Sequence, residues 1–286
     1  RIAKLPKGVK PTVKLDAWTK SAAKVGPFWV AQAKPRRDTV AWAACDDDNL
    51  YLAFRNFGED ASLLKMPQTV RDHNFGNIFS RDSLELFLKP VADGEAYHLF
   101  AAANGDSGDF CGNNQKWNGT WTVAAAANAQ SGSVDYLVTL PFADFAPNGF
   151  SGKWTCNLCR NDRHGEAVSA GECQSTAKTV KLSYNQPETW GAYELPADVA
   201  AKWIARAAEL KAAAGGGSPR ILGRLDYYMN EPEAKFRVWD ANGAMTEHSL
   251  DIAKLPYGTN KVTVSGLATE VVKLPYRKGA TQVNRF

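Results

Sequence analysis

Thr39-Val-Ala-Trp-Ala-Ala-Cys45, Asp46-Asp-Asp-Asn49 and Leu50-Tyr-Leu-Ala-Phe54 follow one another without interruption. Two apolar runs of strand length, joined by four Asp and Asn residues, read as a β-hairpin. Asp and Asn bond their own backbone and tolerate the tight bends of a turn. The same rhythm continues outward. Ser83-Leu-Glu-Leu-Phe-Leu88, Ala96-Tyr-His-Leu-Phe-Ala101, Thr120-Trp-Thr-Val-Ala124, Val134–Leu140, Trp154–Arg160 and Trp190–Leu195 are further short runs separated by turn residues. Such spacing predicts a mainly β fold, an antiparallel jelly-roll-like sandwich over residues 1–195.

The pattern then changes. Pro196 to Ala214 is Ala-rich, carries Pro and Asp in its first turn and runs into Gly215-Gly-Gly217. It predicts one linker helix over 196–217, with Val199, Trp203, Ala207 and Leu210 on a buried face. Ser218-Pro219 after the glycines marks a boundary. Residues 218–286 return to β: Leu225–Met229 and Lys235–Trp239 alternate, Asp240-Ala-Asn-Gly243 is turn-like, and Lys261–Val264 follows. A small immunoglobulin-like β-domain is expected there. Ile2-Ala-Lys-Leu-Pro6 recurs as Ile252-Ala-Lys-Leu-Pro256 and, in part, as Val272-Lys-Leu-Pro275. The irregular intervals exclude a solenoid and suggest one strand-to-turn device used three times.

Composition bounds the class. Of 286 residues 44% are apolar and 22% charged, as in ordinary globular domains, which excludes a disordered, collagenous or coiled-coil chain. No apolar run reaches the roughly 18 residues of a membrane-spanning helix. A net charge of +4, taken as evenly spread, argues against nucleic acid as partner. Nine Trp beside three Met is the unusual feature. Trp18, Trp42, Trp121, Trp154 and Trp190 fall at strand or strand-flanking core positions, Trp203 on the helix and Trp239 in the small domain. Trp29 and, in the polar stretch Asn113–Thr120, Trp117 remain as candidate ligand platforms.

Five cysteines leave one thiol over. Cys156 and Cys159 lie on one predicted strand and point to opposite faces, so they do not bridge each other. Cys159–Cys173 is the preferred disulfide, closing the loop between them. Cys111 is a competing partner and buried free thiols are the alternative. The chain starts at Arg1 without a signal peptide and ends in a strand-like stretch, so a mature or excised piece of a longer protein is expected.

Catalytic patterns are missing. Glycoside hydrolysis needs two carboxylates facing each other across a cleft, whereas Asp82 and Glu85 are three apart on one strand and point oppositely. No Gly-x-Ser-x-Gly, His-Glu-x-x-His or phosphate loop occurs, and His73, His98, His164 and His248 are scattered. Asn104-Gly-Asp-Ser-Gly-Asp109 has the oxygen-rich composition of a structural calcium loop, with Asp106 and Asp109 as ligands. No other cofactor is expected. Asp46–Asp48 are expected to be turn residues.

An ordered series gives the first 195 residues a family resemblance: Leu15-Asp-Ala-Trp18 before Ser21-Ala22, Asp47-Asp-Asn-Leu-Tyr-Leu52, Arg71-Asp72, Asp82-Ser-Leu-Glu-Leu-Phe87, Tyr97-His98 leading to Asn104-Gly105, Leu140-Pro-Phe142, Trp154-Thr-Cys-Asn157 with Arg160, and Trp190-Gly191. Together they resemble the family 9 carbohydrate-binding-module-like domains, which share the DOMON-type β-sandwich. The resemblance implies a ligand-binding aromatic at Phe79, a hydroxyl-accepting carboxylate at Glu85, and an amide at Asn104. A second aromatic falls at Tyr184 or Trp190. Ala102 stands where the family carries an Arg. Arg71 and Arg160 are counted among the ligand residues, with pairing to Glu85 as their alternative role. Related sandwiches hold haem between Met and His or Lys, a reading that would use Met66 with His98 or His164.

The expectation is a non-catalytic, extracytoplasmic glycan-binding module, accessory to a larger glycan-degrading or cell-surface protein and sharing its polypeptide with a catalytic domain. The alternative is a structural or interaction sandwich that has lost its ligand.

Overall fold

A computed structural model describes residues 1–68, 76–112, 117–163, 171–180 and 184–215, and the strands 233–239, 245–251, 258–262 and 270–274. The chain divides into two compact units, Arg1–Glu209 and Leu210–Phe286.

The first unit is a sandwich of two mainly antiparallel sheets. Its strands are β1 (Ala3–Lys4), β2 (Ala23–Val25), β3 (Thr39–Cys45), β4 (Asn49–Phe57), β5 (Ser83–Lys89), β6 (Tyr97–Ala102), β7 (Ser107–Cys111), β8 (Thr122–Asn128), β9 (Ser133–Pro141), β10 (Lys153–Asp162), β11 (Glu172–Ser175) and β12 (Gly191–Glu194). The first sheet runs β1-β3-β4-β9-β8, with β2 on β3. The second runs β11-β10-β5-β6-β7, with β12 also on β10.

The hairpin expected at 39–54 is β3–β4, with Cys45 opposite Leu50. Its turn is held by Asp46: one carboxylate oxygen accepts from the backbone of Asp48 and Asn49, the other from the Tyr51 hydroxyl at 2.6 Å. Alternation then sorts the side chains. Leu50, Leu52 and Phe54 of β4 and Val134, Tyr136, Val138 and Leu140 of β9 are buried between the sheets. Leu84, Leu86 and Leu88 of β5 meet them from the other side, so Ser83, Glu85 and Phe87 point outward.

Trp154 closes the interior at one end, ringed by Phe142, Phe145 and Phe150. The other end is polar. Arg160, fully buried, bonds Thr39 Oγ1, the carbonyls of Asp38 and Phe57, and Asp162. Beside it Glu59 accepts from Asn56 Nδ2 at 2.7 Å and from the Tyr136 hydroxyl. Burial pushes the Glu59 carboxyl up to about 7, against the pull of the Arg160 charge.

Residues 5–22 form an outer layer on the first sheet. Leu5, Leu15 and Trp18 are buried there against Ala44, Tyr51, Ala53 and Leu137. The helix α3 (Ala197–Gly215) is also part of this body as far as Glu209. Two short helices, α1 (Gly76–Phe79) and α2 (Phe142–Phe145), precede it. Val199, Trp203 and Ala207 of α3 are buried as its periodicity predicts, and Leu210 is half-buried. The Trp203 indole donates to the Asp47 carbonyl at 2.8 Å and packs on Phe142 and Phe150.

Among the described residues, the second unit contributes two antiparallel hairpins. One pairs β13 (Glu233–Trp239) with β14 (Met245–Asp251), the other β15 (Gly258–Val262) with β16 (Glu270–Leu274). The strand expected at Leu225–Met229 lies outside the described residues.

The disulfide expectation is corrected. All five cysteines are free, Cys159 and Cys173 included. In the β10–β11 register Cys159 faces Ser175 and Cys173 faces Asn161, so the two thiols are diagonal neighbours. Diagonal positions are ~7–8 Å apart, too far for a bridge without backbone movement. Cys111 is on β7, the far edge of that sheet, where its thiol accepts from Asn148.

Candidate functional site

The outward face of the second sheet carries a polar centre in an aromatic surround. Glu85 projects from the middle strand β5. Its neighbours are set by register: Phe100 lies opposite on β6 and Cys159 opposite on β10. The diagonal positions bring in His98 and Asn161. Asn161 Nδ2 donates to Glu85 Oε1 at 2.8 Å, and His98 Nε2 lies 2.9 Å from Oε2. Burial holds the His98 imidazole below its ordinary pKa, Glu85 pulling the other way, so the neutral ring donates its proton to Glu85.

The His98 ring is packed between two phenylalanines, 3.8 Å from Phe87 and 3.9 Å from Phe100 between centroids. Phe110 of β7 meets it at 4.9 Å, and Phe79, at the end of α1, meets Phe100 edge-on at 4.6 Å. Phe79, His98 and Phe110 are half-buried, while Phe87 and Phe100 are buried. On the β10 side, Tyr184 and Trp190 pack against Phe87. The half-buried rings offer apolar area to the C–H face of a ligand. Glu85 and Asn161 beside them are buried and bonded within the protein: Asn161 Nδ2 donates to Glu85 and to Ser83 Oγ, and its Oδ1 accepts from Arg163 and Tyr184.

Of the residues expected from sequence, Phe79, Glu85 and Tyr184 come together on this face. Tyr184 is buried against the outward-pointing Phe87 and Cys159, its hydroxyl donating to the Arg160 carbonyl at 2.8 Å, so it covers the β10 side of this face. Asn104 is spent elsewhere: its amide bonds the Pro67 carbonyl and Asp106 in the turn between β6 and β7. Gly105 completes that turn with a φ of +85°, which favours glycine. Trp117 packs on Tyr97 and Phe145, whose side chains belong to the interior rather than to the outward face. Arg160 points into the interior, on the opposite face of β10 from Asn161. Arg71 lies outside the described residues, as does His164.

The calcium loop is instead the start of β7. Asp106 is ion-paired to Arg81, and Asp109 accepts from the Trp121 indole at 2.6 Å. Three apart on an extended chain, these carboxylates do not converge. Among the described residues no cluster of three or more His, Cys, Asp or Glu is placed to hold a metal ion. For haem, the His98 nitrogen facing Glu85 is engaged and its ring is enclosed, while Met66 is 48% exposed on the 310 turn after β4. Trp29 is half-buried with Lys178 Nζ 4.5 Å above its ring.

Sequence reasoning missed Asn161, Phe110 and the role of His98. The available signal was the outward alternation Asn157-x-Cys159-x-Asn161, two amides on a strand face where solvated charges would be usual.

No protein-family model matches the chain, and no curated protein matches it. Solved structures do. One is a protein from Bacteroides uniformis described as a candidate carbohydrate-binding protein, with 14% identity, a TM-score of 0.51 and coverage of 68% of this chain and 97% of that one. Another is a family 9 carbohydrate-binding module from Caldicellulosiruptor kristjanssonii in complex with cellotriose, with 13% identity, a TM-score of 0.45 and coverage of 68% and 91%. The same module in complex with glucose gives 12% and 0.43. At these identities the likeness is one of fold alone: the N-terminal sandwich shares its architecture with the Bacteroides uniformis protein.

Proposed function

We propose that this chain is a non-catalytic carbohydrate-binding module whose ligand lies on the outward face of the second sheet. The observation that carries the reading is Glu85, a carboxylate in the middle of a strand face, set among the rings of Phe79, Phe100, Phe110 and His98. A pyranose would rest its C–H side on Phe79 and Phe110 and direct a hydroxyl at Glu85 in place of the bond from His98 or Asn161. The fold likeness supports the same reading. An extracytoplasmic place, as an accessory part of a larger glycan-degrading or cell-surface protein, follows from that family's resemblance.

Calorimetric titration with glucose, cellotriose and a panel of plant, algal and mucin sugars tests it. Binding in the micromolar-to-millimolar range that weakens at least tenfold in Phe79→Ala supports the reading, and silence across the panel removes it.

One observation favours the alternative, a scaffold that has kept the fold without the ligand. Both oxygens of Glu85 already have donors within the protein, and Ala102 replaces the family's arginine. A hydroxyl must then compete with Asn161 and His98, which lowers the net gain from each new bond.

A further inference from the structure

The two sheets of the sandwich end in six terminal strands, β1, β2, β7, β8, β11 and β12. Five of them are short, at most five residues, and each carries a charge: Lys4, Lys24, Asp109, Glu172 and Glu194. Shortness and charge are the usual means of blunting an edge, whose open row of N–H and C=O groups would otherwise pair with another strand. Strand β8 has neither. It is seven residues long, Thr122-Val-Ala-Ala-Ala-Ala-Asn128, with no charge and no proline. It lies inside Trp117 to Val134, eighteen consecutive residues without Asp, Glu, Lys or Arg in a chain that is 22% charged.

No bulge twists this edge away. The pairing with β9 runs unbroken from Thr122 opposite Thr139 to Asn128 opposite Ser133. The 310 turn Ala61–Lys65 also packs on β8, yet Thr122, Ala124 and Ala127 stay exposed. Among the described residues no strand pairs with the other edge of β8.

A second copy of the chain matches this edge by symmetry. Two antiparallel copies of one strand are related by a two-fold axis. With the axis at Ala125, Ala124 meets Ala126 of the second copy, Val123 meets Ala127, and Thr122 meets Asn128. No charge faces a like charge, and the central five side chains are no larger than valine, so the flanking surfaces can approach. The edge offers an unrelated strand only backbone and methyl groups, with no charge or large side chain to select it. The two-fold match belongs to a second copy alone.

We infer that β8 is a self-pairing edge, through which two copies of the chain join their first sheets into one continuous antiparallel sheet. The two-fold axis stands perpendicular to that sheet, so both copies keep the same side up. Their second sheets then turn the two Glu85 faces toward the same side. The pairing itself does not rest on the sugar-binding reading; only the use of both faces on one polysaccharide does. Seven paired residues span about 24 Å along sheets about 10 Å apart, a footprint at the small end for interfaces. The association is therefore weak and concentration-dependent.

Sedimentation equilibrium of the full chain from about 5 to about 500 µM, the range of weak interfaces, tests the pairing. The average mass is expected to rise from 31.2 kDa toward twice that value. In Ala124→Lys/Ala126→Lys like charges meet across the seam, and association should weaken at least tenfold. In Ala124→Glu/Ala126→Lys opposite charges meet across the same seam, and association should be kept or tightened. The two variants differ only at the exposed position 124. Hydrogen exchange of the unsubstituted chain supplies a reading that needs no variant: amides of Thr122–Asn128 should exchange at least twofold more slowly at the top of the concentration range than at its foot. A chain that stays monomeric throughout, two variants that associate equally, or slowed exchange that spares β8 would each overturn the inference. Titration with neutral sugars reads the Glu85 face separately.

Discussion

Glu85 and His98, thirteen residues apart on adjacent strands, meet at 2.9 Å, and the second oxygen of Glu85 is bonded to Asn161 at 2.8 Å. The carboxylate is thus fixed in position by two donors from two different strands. Glu85→Gln replaces one acceptor by a donor and sets it against those donors. We expect a loss of about 1–3 kcal/mol in stability, read by urea unfolding, from the unmet hydrogen bonds. Ligand affinity should fall with it. Unchanged unfolding would mean that the three side chains do not share these bonds.

His98 gives the site a pH response. Burial depresses its folded pKa, so a neutral His98 favours the folded state. That stability is present above the ordinary histidine pKa near 6.5 and is lost as pH falls through the lower folded value. A charged His98 also holds Glu85 more tightly and withdraws it from a ligand. Sugar affinity should therefore be flat above the ordinary histidine value near 6.5 and decline only at more acid pH, and His98→Gln should flatten the profile. Calorimetry at successive pH values decides it; an affinity that rises on acidification would refute it.

Phe79 and Trp117 should behave differently. Phe79→Ala removes a half-buried ring from the outward face and should cost affinity more than stability. Trp117→Ala removes a ring packed on Tyr97 and Phe145 and should cost ~2–4 kcal/mol of stability while leaving affinity for sugars within twofold. Paired melting and titration experiments distinguish the two, and reversed effects would relocate the site.

Glu59 couples the polar end of the interior to pH. Its folded pKa of about 7 lies above the ordinary carboxylate value of 4.5. The stability this contributes is complete below pH 4.5 and is lost as pH rises through 7, about 3 kcal/mol across that interval. Glu59→Gln should remove this loss and make the protein more stable than the parent at pH 8. Urea midpoints at pH 5 and pH 8 provide the comparison; parallel shifts in both proteins would exclude Glu59 as the source.

Free thiols make the sandwich indifferent to reductant. Five thiols should titrate in denaturant, and the melting temperature should be the same with and without dithiothreitol. A fall of several degrees in reductant would reveal a disulfide.

Much of the sandwich was readable because alternation is a local signal. Ser83 to Leu88 assigns its own two faces, and the Asp46–Asn49 turn announces its own hairpin. Strand β7 was hidden because Gly-Asp-Ser-Gly-Asp has turn composition, which pairing with β6 overrides. The site was half readable. Phe79 and Glu85 came from family resemblance, but the donors to Glu85 depend on registers joining residues 85, 98 and 161. Nothing within one strand reports such a register. Arg160 and Asn161 show the cost: a shift of one residue exchanges the interior for the outward face. Asn104 has the residue type expected of a ligand amide, and its turn uses that amide first.

The beginning of the sandwich and its last helix are tied together. Ile2 donates its backbone N–H to the Glu194 carbonyl at 2.7 Å, and Lys4 is paired with both Asp47 and Asp198. The first strand is therefore tied to the first turn of the last helix, which runs on about 16 Å, to Glu209, before this body ends. The Asp46–Asn49 turn is gripped from both sides, by Lys4 from the start of the chain and by Lys202 and Trp203 from the helix. Fraying of the first strand and of the last helix is thereby coupled through one hairpin, and neither end can open without loosening the hold on the other.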